Sequence, residues 1–430
     1  MNFSLPSDLT KLLESLDSFI ETQILPLQSQ NDNIRFFDHR REHSRTNWDA
    51  GGLPSEEWED LLAKAVHLAD KAGFYRLAFP KEYGGKEIGN LWMAVIREDL
   101  AAKGLGLFND LQNEHSIVGN APDVVMFHNF GNEEQKKQFI WGRIEGKTRT
   151  TFGLTEPGHG SDATFMETRA VKETRNGVEG WRIDGSKKWQ TGQHKATHCI
   201  IFARTSGKPG DASGISAFLV PANADGLKVL SYEWTFNMPT DHATISLSSV
   251  FVPASALFGP LDRGLAIAQS FVHENRIRQA ASSLGAASYC ISESVAYARQ
   301  RRPFGKPLAE NQAIQFPLVE LATQAEMLRL LIRKTASEMD GMPHKEIERT
   351  LSDKVSMCNY WANRLCTQAA DRAMQVHGGV GYSRHKPFEH IYRHHRRYRI
   401  TEGSEEIQMR KVAAYLFGFA GPRKEAFSKL

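Results

Sequence analysis

The chain has 430 residues, with 53 Lys and Arg against 50 Asp and Glu, a formal net charge of +3. That length suits two or three domains with sizeable cores, and so small a basic excess argues against nucleic acid as a partner. With 41% hydrophobic and 24% charged residues the composition is that of a globular protein, and no run approaches the ~18 apolar residues of a membrane span.

Residues 1–149 read as helical. Leu9, Leu12, Leu13, Leu16, Phe19 and Ile20 recur at three- and four-residue spacing. Glu56–Lys71, Leu91–Lys103 and Asn132–Trp141 are predicted helices, separated by Asp49-Ala50-Gly51-Gly52 and by Pro80–Gly85. From Thr150 the period changes to two: Ile215, Ala217 and Leu219 alternate, as do Thr244–Leu247 and Val250–Val252, and Cys199–Ala203 is a compact apolar strand. Asn176-Gly177 and Asp184-Gly185 read as hairpin turns. Long helices return over Ser270–Arg299, Asn311–Asp340, Lys345–His377 and Glu405–Gly418. The fold class is therefore α+β: an N-terminal helical domain (1–149), a middle β-domain of antiparallel barrel or sandwich type (150–259), and a C-terminal helical domain (260–430).

Cys199, Cys290, Cys358 and Cys366 show no CxxC spacing, which favours reduced thiols in an intracellular protein. The N-terminus reads as an amphipathic helix, with neither a secretory leader nor an Arg-rich transit peptide. The last three residues, Ser428-Lys429-Leu430, spell a peroxisomal address that an import receptor reads, after a polar stretch over Gly421–Glu425.

Five stretches carry chemistry. Thr150–Asp162 contains Thr155-Glu156-Pro157, then Gly158, Gly160 and Ser161-Asp162; glycines without a Cβ let backbone approach a ligand, although turns of this composition are common. Trp189-Gln190-Thr191-Gly192 follows about thirty residues later. Arg301-Arg302-Pro303-Phe304-Gly305-Lys306, followed by Asn311-Gln312, combines cations with an aromatic and suits a phosphate-bearing ligand; its plain alternative is a solvated loop. Gln375-Val376-His377-Gly378-Gly379-Val380-Gly381 has more glycines than a helix cap needs. In Thr401-Glu402-Gly403-Ser404-Glu405-Glu406, Ser404 is placed to cap the following helix, and Glu402 stands just outside it. The segment His390–Arg397 puts His390 and His394 at metal-ligand spacing but offers no third ligand, so it reads as a solvated or subunit-contact face.

Taken in order, these stretches resemble the acyl-CoA dehydrogenase family of flavoproteins, over about residues 70 to 417. The resemblance implies a C-terminal four-helix bundle and a bound FAD. Phe152, Leu154, Thr155 and Ser161 would border the flavin and its ribityl chain, and Trp189 and Thr191 would cover it, Thr191 near N5. Arg301, Phe304, Gln312, Gln375, Gly378 and Gly379 would reach the FAD of a neighbouring subunit, in a homotetramer or at least a homodimer. Ser404 and Glu406 would meet the ADP part. Ser161 and Arg276 would contact CoA, Gly403 would let the chain pass the substrate, and Glu402 would be the catalytic base. The implied reaction is α,β-dehydrogenation of an acyl-CoA to the trans-2-enoyl-CoA, as in fatty acid β-oxidation, with peroxisomal placement pointing to dioxygen as acceptor. Three departures stand out: His273 occupies a position where the family often has an acidic residue, Glu406 replaces a residue that is often neutral, and Met238–His242 differs from the commoner pattern. Two alternatives share the fold: a nitroalkane oxidase-like flavin oxidase, which would place an aspartate where this chain has Glu402, and a nucleic-acid-binding flavoprotein.

Overall fold

The computed structural model describes residues 4–110 and 115–420; Ser428-Lys429-Leu430 lies outside the described residues. Mixed helix and sheet bear out the α+β reading. The chain separates into two compact units. One is helical, comprising residues 1–44, 56–120 and 273–430, and the other is built on a sheet, comprising residues 45–55 and 121–272.

The N-terminal part of the helical unit contains α1 (Ser7–Phe19), α2 (Glu56–Lys71) and α3 (Asn90–Ala102). The leucine stripe behaves as its spacing requires: Leu9 and Leu16 are buried with Trp58, Leu61, Met93 and Leu100 in one apolar cluster. The β unit has α4 (Pro122–Phe130) and the segment predicted helical over Asn132–Trp141, which is capped by Asn132, helical from Glu133 and widened over Lys137–Trp141.

In the β unit the strands are β1 (Thr150–Gly153), β2 (Arg169–Arg175), β3 (Val178–Thr191), β4 (His198–Arg204), β5 (Ile215–Pro221), β6 (Leu227–Tyr232), β7 (His242–Pro253) and β8 (Leu257–Phe258). They form one sheet in the order β6-β7-β3-β2-β4-β5-β8, with β1 parallel to β4. Ile183, Ile201, Phe218, Val220, Ile245 and Val250 fill its core. Asn176 and Gly177, both at positive φ, make the hairpin turn between β2 and β3. Asp184-Gly185, in contrast, is not a turn: it lies inside β3, where a Cβ on Gly185 would sit 2.4 Å from Thr168 Oγ1. The glycine there serves a close crossing rather than a reversal.

The long helix α5 (Gly264–Gln300) begins in the β unit and continues into the helical unit, which also contains α6 (Gln312–Met339), α7 (Ser352–His377), α8 (Phe388–Arg397) and α9 (Glu405–Leu416). Asn311 caps α6, its side chain accepting from the Ala313 N–H at 2.9 Å. The helix expected over Lys345–His377 is two, His344–Thr350 and α7, broken at Leu351. Ala280, Ala281, Ala287, Leu328, Ile332, Ala362 and Ala369 share the bundle core.

The expectation of a solvated α8 is corrected. His390, His394 and His395 are at most 2% exposed, and His395 Nδ1 shares a 2.8 Å hydrogen bond with Ser283 Oγ. Burial, with Arg397 close by, holds the His395 imidazole down to about 3.

Candidate active site

The Glu402 loop joins α8 to α9 in the helical unit. Ser404 caps α9, its hydroxyl accepting from the Ile407 N–H. Glu405, in the first helical turn, is gripped by Arg364 (3.0 Å) and Arg399 (2.9 Å). Those contacts leave Glu402 and Gly403 to turn the chain, and both take positive φ, +57° and +81°. A glutamate rarely adopts that conformation, and such residues concentrate at functional sites.

What holds this backbone is Arg276 on α5. Its Nε donates to the Glu402 carbonyl at 2.9 Å, and its Nη2 donates to the same oxygen. A Cβ on Gly403 would lie 2.7 Å from Arg276 Nη2, so the glycine keeps the arginine seated. Arg276, which the resemblance assigns to CoA, is thus buried against the glutamate's own main chain; burial pulls its guanidinium down to about 10, although Glu402 opposes the shift. The Glu402 carboxylate accepts from Asn275 Nδ2 at 3.1 Å. His273 is buried and bonded to Ser352 Oγ (2.9 Å), while Glu274 pairs with Arg278 (2.9 Å).

Elsewhere in this unit, Arg301, Phe304, Gln312, Gln375, Gly378, Gly379 and Glu406 are exposed. Phe304 takes positive φ (+56°) and keeps its ring fully in solvent. Around Gly378 and Gly379 an added Cβ would meet nothing within 4 Å. The α7 terminus beside them is fixed by His377, whose ring stacks on Tyr297 at 4.3 Å.

In the β unit, Phe152 stacks on Phe271 at 4.6 Å, and Leu154 and Thr155 are half-buried. Ser161 is exposed, and an added Cβ on Gly160 beside it would meet nothing within 4 Å. Trp189 is held at φ +64° with its indole 47% exposed. Its strand neighbour Thr191 shares a 3.0 Å hydrogen bond with His242 Nδ1, and Asp241 lies 3.2 Å from the same nitrogen.

Glu156, within the Thr-Glu-Pro stretch, is buried instead of facing a ligand. It accepts from the backbone N–H groups of Glu167 (2.8 Å) and Thr168 (2.9 Å) and from Lys187 Nζ (2.8 Å). Lys187 also reaches the Leu154 carbonyl at 3.3 Å, so this pair fixes the Leu154–Thr155 loop from beneath. Burial holds the Lys187 ammonium down to about 8, with Glu156 working the other way.

Sequence reasoning missed Asn275 as a support of Glu402, and His242 and Lys187 as supports of Thr191 and the Leu154–Thr155 loop. Lys187 had no usable signal, because alternation would put it on the same face as the exposed Trp189, whereas it is buried. Asn275 and His242 had none beyond their place beside Arg276 and within the divergent Met238–His242 segment.

Comparison with known proteins agrees with this fold. The acyl-CoA dehydrogenase N-terminal domain pattern matches residues 7–147, the middle-domain pattern residues 151–250, and the C-terminal domain pattern residues 262–417. A "3-(aryl)acrylate reductase" of Clostridium sporogenes is 33% identical over 349 residues, covering 80% of this chain and 87% of the relative. An acyl-CoA dehydrogenase of Bacillus subtilis is 31% identical over 366 residues, 84% of this chain and 92% of its own. A solved glutaryl-coenzyme A dehydrogenase in complex with glutaryl-CoA superimposes with TM-score 0.77 at 26% identity, covering 97% of each chain. The fold and its domain order define a flavin-dependent oxidoreductase. The chain belongs to the acyl-CoA dehydrogenase family, and its cofactor is FAD.

The residues present fit that cofactor. In the β unit Trp189 presents a 47% exposed indole at positive φ, Thr155 and Thr191 add hydroxyls, and the open space at Gly160 leaves room for a ligand to approach.

Proposed function

We propose that this protein oxidises an acyl-CoA thioester to the trans-2-enoyl-CoA, with Glu402 taking the α-proton. The observation that carries the reading is the strained Glu402, its carbonyl clamped by Arg276 and its carboxylate held by Asn275. An α-proton next to a thioester is weakly acidic, so its removal needs a base fixed at the carbon and donors on the carbonyl oxygen. FAD, when bound, accepts the β-hydrogen with its electron pair.

In this reading Trp189, Leu154, Thr155 and Thr191 hold the flavin from the β unit. Arg301, Phe304, Gln312, Gln375, Gly378 and Gly379 serve a neighbouring copy's cofactor in a homotetramer or homodimer, an assignment supported by their exposure. Ser161 contacts CoA, and Arg276 holds the Glu402 backbone. The test is anaerobic bleaching of the flavin band by a panel of butyryl-, octanoyl- and palmitoyl-CoA; a holoenzyme that none of these or their branched analogues reduces would overturn the reading.

Peroxisomal placement through Ser428-Lys429-Leu430 and reoxidation by dioxygen belong to the same proposal. A fluorescent fusion should enter peroxisomes only when the last three residues are free, and reduced enzyme mixed with oxygenated buffer should reoxidise as fast as it turns over. A 33%-identical relative is named a reductase, which favours a second reading in which the same groups run the reaction towards saturation. Mixing dye-reduced enzyme with an enoyl-CoA decides between the two: oxidation faster than the forward bleaching supports the reductase.

A further inference from the structure

Asn275 directly precedes the arginine that clamps Glu402, and it is 4% exposed. Its Nδ2 donates to Glu402 Oε1 at 3.1 Å. Its Oδ1 accepts from Asn120 Nδ2 at 2.9 Å. Asn120 is itself anchored through its main chain, since its carbonyl accepts from Arg278 Nη1. Arg278 is fixed in turn by Asn90 Oδ1 (3.1 Å) and Glu274 Oε2 (2.9 Å). All these residues belong to the helical unit.

In this arrangement the Asn275 amide turns its Oδ1 to Asn120 and its Nδ2 to the carboxylate. With Asn120 Nδ2 on Oδ1, only the Nδ2 edge is left for the carboxylate. An ionised carboxylate accepts and cannot donate, so this orientation matches the charged form of the base and disfavours the protonated form. Other charged groups of this unit have contacts of their own. Arg276 donates through Nε and Nη2 to the Glu402 carbonyl. Lys411 on α9 stands near Arg276 and Glu348. Glu405 is neutralised by Arg364 and Arg399, and Glu274 by Arg278.

We propose that Asn275, backed by Asn120, is a positioning residue that keeps Glu402 ionised and aimed for removal of the substrate proton. The inference rests on Glu402 being the base. A hydrogen bond to a charged group stabilises that charge, so its loss should raise the proton affinity of Glu402 by about one pH unit or somewhat more.

The test uses FAD-loaded full-length protein and two readouts. One is the pH dependence of anaerobic flavin reduction by octanoyl-CoA, or by whichever of the butyryl, octanoyl and palmitoyl thioesters reduces the enzyme fastest. The other is infrared difference titration of the Glu402 carboxyl in resting enzyme, assigned as the band lost in Glu402→Gln. In Asn275→Ala the acid limb and the carboxyl titration should move up together by about one pH unit, with flavin content and Tm close to wild type. Asn275→Asp should move them further, because it sets a second carboxylate beside the first. Asn120→Ala should move them less and in the same direction, and it keeps the test available if Asn275→Ala does not fold. A wild-type acid limb in Asn275→Ala, with Glu402→Gln inactive, overturns the proposal and leaves the base assignment standing. A Glu402→Gln enzyme that reduces flavin at the wild-type rate overturns both.

Discussion

At the residue scale, buried charges in each unit spend themselves on backbone. Arg276 holds a carbonyl, and Lys187 divides its donors between Glu156 and the Leu154 carbonyl. Lys187→Met should leave Glu156 charged and buried without its cation. Breaking such a pair costs about 3–5 kcal/mol, so urea unfolding should show that loss, and FAD should dissociate more readily because the Leu154–Thr155 loop loses its anchor. A stability within about 0.5 kcal/mol of wild type would mean that the two backbone N–H bonds suffice for Glu156. The candidate residues could be picked out because their types recur at family-like separations, and Glu402, Trp189 and the Gly378-Gly379 pair stand in exposed or strained places. Their supports were not legible, because an inward lysine or a carbonyl-binding arginine is defined by strand register and by helices distant in sequence.

Among the elements, helix α5 crosses α3 so closely that a Cβ on Gly285 would lie 2.2 Å from the Glu98 carbonyl oxygen. Gly285→Ala should therefore destabilise, by about 1–3 kcal/mol if the helices shift to admit the methyl; an unchanged Tm would show that this crossing is loose. The start of α9 carries a pH dependence of definite sign. The Arg399 hydrogen bond, helped by Arg364 and opposed by partial burial, holds the Glu405 carboxyl down to about 2 from an ordinary 4.5. Between those values the unfolded chain binds more protons than the folded one, so this contribution is complete above pH 4.5 and fades as pH falls towards 2. The Tm advantage of wild type over Glu405→Gln should be constant from pH 6 to 8 and shrink on acidification; a difference independent of pH would assign the role to shape rather than charge. Element type followed from periodicity, as in α1, α2 and the β-strands. Where it failed, at Asp184-Gly185 and at the polar helix α8, packing decided: a glycine forced by Thr168 mimics a turn, and histidines buried neutral mimic a wet face.

For the whole molecule, the order of helices, sheet and helices was readable from the change of period at Thr150 and its reversal after Gly264. The division into two compact units was not, because residues 45–55, far up the chain, belong with the sheet: Trp234 Nε1 donates to the Gly51 carbonyl (2.8 Å) and Thr240 N–H to that of Gly52 (2.8 Å). Assembly is testable through the exposed loop. Arg301→Ala should lower the FAD retained on gel filtration, and full retention in a monomeric, active variant would contradict a cofactor shared between subunits. The central claim is that Glu402 takes the substrate proton. The direct measurement is anaerobic stopped-flow reduction of FAD-loaded Glu402→Gln and wild type by the fastest-reacting acyl-CoA. Glu402→Gln should keep its FAD content and reduce at a rate lower by about 10²–10⁴; equal rates in the two proteins would rule Glu402 out as the base.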